Sequence, residues 1–172
     1  IAKKVKTFKS IPEAIAKSNM VIATSVRRRD LSIPLINFED IEKLDSKKIT
    51  ILFGQENNGL SNKEISYANY ILTIPTQKNK SLNLSHSVAL VAYMLSRPTL
   101  VSEEKIIQNG LKSEETEKFI SYLMQLLKNR RFTTIKAKAE NLELTLRSFI
   151  KSTNIDQKML KTAYGIIKFL TK

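Results

Sequence analysis

The sequence contains no cysteine and only one histidine among its 172 residues. The absence of cysteine excludes disulfides and thiolate metal ligands, and a single imidazole argues against a metal centre. No run of about 18 apolar residues is present, so we expect no membrane span. No apolar signal segment stands at the beginning of the chain, so we expect a cytoplasmic protein.

Acidic residues are scarce relative to basic ones. The chain has 16 Asp and Glu against 29 Lys and Arg, which gives a net charge of +13. Such an excess favours a polyanionic partner such as RNA, because binding to phosphates releases counterions. A composition rich in Lys, Ile and Asn can also produce this charge without any ligand. Charge by itself therefore leaves RNA binding open.

The apolar runs predict an α/β fold with a parallel sheet flanked by helices. Short strands are expected at 4–8, 19–23, 49–53 and 70–74, with helices between or after them. The stretch 30–45 is interpreted as a loop with a short turn. A chain of this length suits one medium domain, or one domain with a small appendage.

The stretch Ile49–Leu95 contains the strongest site signal. One strand stops at Gly54, the next stops at Pro75, and a helix with an apolar period follows Asn83. Ligands of open α/β sheets bind beyond the carboxyl ends of the strands, where these segments converge. Glu56 lies in the loop after Gly54. Free backbone groups there would suit a ligand recognised by its polar edges, such as adenosine.

The loop sequence GQENNG, residues 54–59, leaves two other interpretations open. It is not GxGxxG, because Glu56 replaces the middle glycine that lets a pyrophosphate approach the backbone, so a dinucleotide-dependent enzyme is disfavoured. Considered alone, the loop is also typical of a tight surface turn with a solvated glutamate.

Taken together, the ordered segments FGQENNGLSNKE, IPT and SLNLSHSVALVAY resemble the second and third motifs of the SpoU/TrmH branch of the SPOUT RNA ribose methyltransferases. Upstream, ATSVRRR at 23–29 is similar to a segment of the TrmJ-type tRNA 2′-O-methyltransferases of that branch. The resemblance covers about residues 1–98 closely.

The resemblance implies a deep trefoil knot around Ile74–Leu84, a homodimer, and methyl transfer from S-adenosylmethionine to a ribose 2′-hydroxyl of tRNA, with an anticodon-loop nucleotide as the target. A methyltransferase acting on rRNA is the alternative. The resemblance implies these catalytic residues: Arg27, Arg29, Ser81 and Asn83. It implies these cofactor-binding residues: Thr24, Phe53, Gly54, Glu56, Gly59, Ile74, Leu82, Asn83 and Leu84.

Several positions keep simpler interpretations beside the functional ones. Three consecutive arginines at 27–29 can be a solvated loop that only maintains solubility. His86 has a side chain suited to acid–base work, but a histidine on a helix is more often structural. Gln55 and Ser87 depart from the family pattern, in which an arginine and a small apolar residue are usual.

The character of the chain changes after Pro98. We expect a methyltransferase domain at 1–98 and a small all-helical extension at 99–172, with helices at Glu103–Asn109, after a Ser113 cap, at Ile135–Ile150 and at Ile155–Leu170. The extension has basic edges at Lys128, Arg130, Arg131, Lys136 and Lys138. In the TrmJ-type enzymes a similar tail contributes to dimer formation and tRNA contact. A helical lid packed on the sheet is the alternative.

The first motif of the family, which carries an asparagine and an arginine on a strand–helix unit, has no match in residues 1–30. We expect either that the chain is a fragment of a longer protein or that it is a non-catalytic, basic RNA-binding relative. A fragment is favoured, because the later motifs are intact and Ile1 is not a natural start.

Overall fold

The computed structural model describes residues 5–26, 33–45, 48–77, 81–96, 106–107, 111–132, 134–153 and 155–171. Its principal sheet has four strands: β1 (Met20–Thr24), β2 (Leu35–Asn37), β4 (Ile49–Leu52) and β5 (Tyr70–Thr73). Their order is β2-β5-β1-β4, and all three neighbouring pairs are parallel. The predicted parallel sheet is therefore confirmed.

The side chains of a strand alternate between the two faces of a sheet, so the apolar strands of this sheet present apolar side chains on both faces. Helices cover both of these faces. On one face Val21 and Ala23 pack with Ile15 of α1 (Ile11–Ile15) and Ile65 of α2 (Asn62–Ile65). On the other face the buried side chains of Met20, Ile22 and Leu72 pack with Val91 and Met94 of α3 (Leu84–Ser96). All five strand residues are buried, as expected for the centre of a parallel sheet.

Two predictions in the first half of the chain are wrong. Residues 5–8 form no strand; Val5 and Phe8 are 77% and 46% exposed, so this segment has no packed face. The stretch interpreted as a loop contains β2, a 3₁₀ helix at Phe38–Lys43 and a two-residue strand β3 (Leu44–Asp45). β2 is only three residues long and its apolar Leu35 is 67% exposed, so the sequence offered too short a pattern to mark a strand.

Three long helices follow: α4 (Ser113–Asn129), α5 (Lys136–Ser152) and α6 (Gln157–Leu170). They enclose their own apolar cluster, which contains Leu111, Phe119, Ile120, Ile150 and Leu160. The prediction of a helix at Glu103–Asn109 is wrong for the two residues of this stretch that the structure describes. These residues form the strand β6 (Ile106–Ile107), which pairs with β3. Ser113 is the first residue of α4 and is buried, so Lys112, not Ser113, precedes the helix.

The helical part docks near the amino ends of the strands. The N–H groups of Ser113 and Glu114 donate to the carbonyl oxygens of Ser18 and Ala16, at 3.1 and 3.3 Å. The Asn69 amide, just before β5, donates to the carbonyl oxygen of Lys151 in α5, at 3.0 Å. These contacts leave the opposite, carboxyl edge of the sheet free of the described part of the helical segment.

Candidate active site

A cleft opens at the carboxyl ends of β4, β1 and β5. Three segments form its walls: the end of β1, the loop after β4, and the chain that runs from the end of β5 into α3. The described lining residues are Thr24, Ser25, Val26, all of 53–60, Leu72, Ile74, Thr76, Ser81, Leu82, Leu84 and Ser87. The cleft lies where parallel α/β sheets place their ligands.

The loop after β4 is held in one tight conformation by its two glycines. A Cβ added to Gly54 would lie 2.3 Å from the carbonyl carbon of Gly59, so only glycine allows this approach of the backbone. Gly59 itself has φ +64°, which glycine adopts without strain, and its N–H donates to the carbonyl oxygen of Gln55 at 2.8 Å. The loop is exposed at the surface and also forms one wall of the cleft.

The same loop is tied to the start of α3 by a pair of side chains. The Asn83 amide donates to a carboxylate oxygen of Glu56 at 2.8 Å. The side-chain oxygen of Asn83 accepts from the N–H of Ser85 at 2.8 Å, as an N-capping asparagine does. Both ends of the Asn83 side chain are therefore engaged, and two of the sequence motifs meet in one hydrogen bond.

The structure brings most of the predicted site residues together. The following predicted residues line the cleft: Thr24, Phe53, Gly54, Glu56, Gly59, Ile74, Ser81, Leu82 and Leu84. Asn83 adjoins it through Glu56. Arg27 and Arg29 lie outside the described residues. The roles of all these residues remain predictions.

Several lining residues were not predicted as site residues. They are Ser25, Val26, Gln55, Asn57, Asn58, Leu60, Leu72, Thr76 and Ser87. Most are sequence neighbours of predicted residues, and that adjacency was the available signal. His86, in contrast, is exposed on α3 and is not among the described lining residues.

The described residues that line the cleft favour a cationic or neutral ligand. Glu56 is the only charged side chain among the described lining residues; the rest are apolar, hydroxyl, amide or glycine. A carboxylate beside an apolar wall attracts a positive charge and repels phosphate. A sulfonium cofactor with an adenosine end therefore fits these residues better than a dinucleotide with two phosphates.

Among the described residues, no group of His, Cys, Asp and Glu side chains is arranged to hold a metal ion. Within the same part of the chain, no helix is both long enough and apolar enough to cross a bilayer.

A mixed polar and apolar cleft at the carboxyl edge of a parallel sheet defines an α/β protein with a candidate small-molecule site. Residues 2–93, more than half of the chain, match the SpoU rRNA Methylase family, and the chain belongs to that family.

Relatives and solved structures agree with this assignment. The chain is 29% identical to a tRNA (cytidine/uridine-2'-O-)-methyltransferase TrmJ of Photorhabdus laumondii, over 95% of this chain and 72% of the relative. It is 39% identical to a tRNA (cytidine-2'-O-)-methyltransferase TrmJ of Methanocaldococcus jannaschii, over 51% of this chain and 41% of that protein.

A crystal structure of TrmJ from Z. mobilis ZM4 superposes with a TM-score of 0.86 and 26% identity, covering 99% of this chain and 75% of the other. The resemblance found in the motifs is confirmed. Family and relatives support an RNA 2′-O-methyltransferase as the class of enzyme.

Proposed function

We propose that this chain provides the cofactor site of an S-adenosylmethionine-dependent tRNA 2′-O-ribose methyltransferase that acts in the cytoplasm on an anticodon-loop nucleotide. The observation that carries the proposal is the hydrogen bond between Glu56 and Asn83, which joins two family motifs across one cleft. The substrate is suggested by the names of the relatives. The chain spans 72% of one relative and 41% of another, so the activity of the whole protein is part of the proposal.

The lining residues fit S-adenosylmethionine in their chemistry. Phe53, Leu60, Leu72 and Ile74 offer apolar surface for an adenine ring. The carboxylate of Glu56 offers the compensating charge for a positive group. A dinucleotide would instead need cationic or amide donors for its phosphates, and the tight packing of Gly54 on Gly59 leaves no room for a phosphate between them.

The chemistry needs little more than orientation and removal of one proton. When bound, S-adenosylmethionine supplies an electrophilic methyl group. The protein must hold the ribose 2′-hydroxyl in line with that group and accept or relay the hydroxyl proton. We assign Arg27 and Arg29 to the ribose and its phosphate, because guanidinium binds phosphate bidentately and stays protonated. We assign Ser81, which lines the cleft, to a hydrogen bond with that hydroxyl.

In this proposal Asn83 supports the site and does not contact the reacting groups. Its amide and its side-chain oxygen are both engaged by protein groups, so we assign it to holding Glu56 and the start of α3 in place. Ile74, Thr76, Ser81, Leu82 and Leu84 line the cleft together with the glycine loop. We propose that the segment 74–84 makes the trefoil knot of the SPOUT fold.

A second copy of the chain is also part of the proposal. Helix α3 exposes apolar side chains along its length: Leu84, Val88, Leu90, Tyr93 and Leu95 are 37–63% exposed. Exposed apolar side chains are costly in water and suit an interface between identical subunits. Sedimentation equilibrium should give a dimer, and Tyr93→Glu should shift it to monomer. A monomeric wild-type protein at micromolar concentration would contradict this part.

The helical part is proposed to contact RNA. Its cationic side chains at the turn between α4 and α5 are exposed: Lys128, Arg130, Arg131, Lys136 and Lys138. These positions belong to the helical part of the chain, which docks at the amino ends of the strands, away from the cleft. A lid over the cofactor cleft is therefore not supported by the described contacts.

The test uses the protein expressed from its complete reading frame. Transfer of a tritiated methyl group from S-adenosylmethionine to unmodified tRNA should be observed, and the label should appear at a ribose 2′-oxygen. An rRNA fragment serves as the comparison, because the family description favours rRNA as the second candidate. Cofactor binding without transfer to either RNA would support a non-catalytic RNA-binding module instead.

A further inference from the structure

Helix α4 ends in a Schellman turn that has an arginine where glycine is usual. In this turn the first residue after the helix is left-handed, and two backbone hydrogen bonds close the last turn. Arg131 has φ +53°, and its N–H donates to the carbonyl oxygen of Lys128 at 3.0 Å. The N–H of Phe132 donates to the carbonyl oxygen of Leu127, also at 3.0 Å. The turn therefore fixes the backbone of both residues, although glycine would adopt the positive φ with less strain.

The side chain of Phe132 is exposed at this turn. The residue in its position often packs back on the last turn of the helix, but Phe132 is 67% exposed. It lines a groove between the turn and the first half of α5. This turn groove is defined by six of its described lining residues: Arg131, Phe132, Ile135, Lys138, Asn141 and Leu142. An aromatic ring and two aliphatic side chains thus lie beside two cations and one amide.

The chain around the turn groove is strongly basic. Residues 118–139 contain no Asp or Glu, and five cations stand between positions 128 and 138. All five are exposed: Lys128, Arg130, Arg131, Lys136 and Lys138. Within the part of the chain that the structure describes, none of these five side chains forms an ion pair. Their charges are therefore available to an anionic partner.

We propose that the turn groove binds an unpaired base of the RNA substrate, with Phe132 as the stacking surface and the neighbouring cations on the adjoining phosphates. The proposal rests on the proposed function and names the part of the RNA that the helical part recognises. Exposed aromatic rings among cations bind single strands in this way, because every base has an apolar face. The Asn141 amide offers a donor and an acceptor to the edge of the base.

A double helix fits these residues less well. Its bases are stacked on one another, so a protein reaches chiefly its phosphates and 2′-hydroxyls. Cations alone would serve such a partner, and the exposed ring of Phe132 would have no contact to make. The combination of ring and cations therefore favours a single-stranded or looped region.

The position of the groove indicates what it contributes. The contacts that dock the helical part are made by Ser113 and Glu114, at the start of α4. Asn129, at the other end of α4, lies roughly 24 Å along the helix from Ser113, at 1.5 Å per residue. No described residue lines both the turn groove and the cleft. We therefore expect the groove to raise RNA affinity and to leave the chemical step unchanged.

The experiment uses the protein made from its complete reading frame. Phe132→Ala removes the ring and Phe132→Tyr keeps it. The matched control is Phe149→Ala, because Phe149 is 58% exposed on α5 and is not among the described residues that line the groove. The probes are unmodified tRNA, an oligouridylate, and a blunt RNA duplex with the same number of phosphates as the oligouridylate. Affinity is measured over a range of salt concentrations, together with melting temperature and single-turnover methyl transfer at saturating tRNA.

Phe132→Ala should weaken binding of tRNA and oligouridylate by about 5- to 150-fold, as the loss of one stacked base does. The slope of log affinity against log salt should not change, because no charge is lost. Duplex affinity and the rate at saturating tRNA should stay within about twofold of wild type. Phe132→Tyr should bind tRNA within about threefold of wild type. Phe149→Ala should match wild type throughout.

Arg131→Gly tests the cationic part of the groove. It should reduce the salt slope for the oligouridylate by about 0.7, as the loss of one phosphate contact on a single strand does. It should also raise the melting temperature, because glycine takes the positive φ without strain. An unchanged salt slope would overturn the assignment of this arginine to a phosphate.

Three results would overturn the stacking proposal: equal RNA affinities of Phe132→Ala and Phe149→Ala, an equal loss for duplex and single strand, or a change in oligomeric state without a change in RNA affinity. The last result would assign Phe132 to a protein interface. Methyl transfer by a wild type whose Phe132→Ala variant binds RNA normally would overturn this proposal alone. Stacking as expected without methyl transfer to any RNA would overturn the proposed function and leave the groove as an RNA site.

Discussion

The side-chain amide of Asn69 donates a hydrogen bond to the backbone carbonyl oxygen of Lys151, at 3.0 Å and across 82 positions of the chain. The oxygen of the same amide accepts from the N–H of Val21, at 2.8 Å. Asn69 is buried, and it lies immediately before β5. One residue thus connects the start of β1, the start of β5 and the end of α5.

The first prediction concerns that connection. Asn69→Ala leaves the N–H of Val21 and the carbonyl of Lys151 buried without this partner, and each such group costs about 1–3 kcal/mol. We expect the free energy of unfolding to fall by about 2–6 kcal/mol in denaturant titrations. Asn141→Ala, at an exposed position of α5, is the control and should have little effect. A loss below about 1 kcal/mol would show that water replaces both bonds.

The second prediction concerns pH. Lys151 is 3% exposed, and burial lowers the pKa of its ammonium group to about 8, with the Arg147 guanidinium acting in the same direction and the Glu117 carboxylate opposing it. Its Nζ donates to the Ser113 hydroxyl at 2.8 Å. Because the folded pKa lies below the unfolded value, the unfolded chain binds more protons between about pH 8 and 10.5, and stability rises with pH in that window.

The measurement compares wild type with Lys151→Met, so that other groups titrating in this range cancel. The difference in unfolding free energy, wild type minus variant, should increase by about 3 kcal/mol between pH 7.5 and 10.5. Below pH 8 the methionine variant should be as stable as wild type or more stable, since the charged lysine is costly to bury. A difference independent of pH would mean that Lys151 stays solvated.

The third prediction compares two glycines of the cleft. Gly54→Ala would place a Cβ 2.3 Å from backbone of Gly59, so the loop has to open and cofactor binding should be lost. Gly59→Ala meets no neighbour within 4 Å, and its cost is only the positive φ, about 1–2 kcal/mol. We expect Gly59→Ala to bind S-adenosylmethionine more weakly than wild type but measurably. Calorimetry ranks the two variants, and equal affinities would contradict the packing argument.

The fourth prediction concerns the arginine segment. Arg27→Ala and Arg29→Ala should each weaken tRNA binding and reduce the slope of log affinity against log salt by about one, as the loss of one phosphate contact does. Lys118→Ala is the control, because that side chain is exposed in α4 and pairs with Glu114 at 2.6 Å. If both arginine variants keep the wild-type slope, the segment is a solvated loop without RNA contact.

Much of the fold was predictable because its signals are local. The apolar runs at β1, β4 and β5 marked strands, and the spacing of Ser61 and Glu64 marked the start of α2. That capping box is present, with the Ser61 N–H donating to Glu64 at 2.7 Å and the Glu64 N–H donating to the Ser61 hydroxyl at 3.3 Å. The cleft was predictable for the same reason, since parallel strands end at one edge.

The exposed and buried sides of the helical part were harder to predict. Met159 and Ile166 are apolar side chains of α6, yet they are 58% and 55% exposed. Arg147 is instead buried beneath Tyr67, 4.4 Å from its ring centroid, with Glu117 and Glu143 as ion-pair partners. Arginine and lysine lie at the surface in most proteins, so a sequence pattern assigns them there by default.

The sequence by itself determined the helical period of the long helices, the positions where the strands stop, and the types of residue that follow the strand ends and line the cleft. These properties depend on neighbours that are only a few positions apart. Tertiary structure alone decided that Leu35–Asn37 is a strand, that the Thr73 hydroxyl donates to the carbonyl oxygen of Ser25, and that Asn69 reaches Lys151. Each of these depends on partners about 35 to 82 positions away. Such contacts form only when the chain packs, since the energy of a hydrogen bond or a buried side chain depends on what packing places beside it.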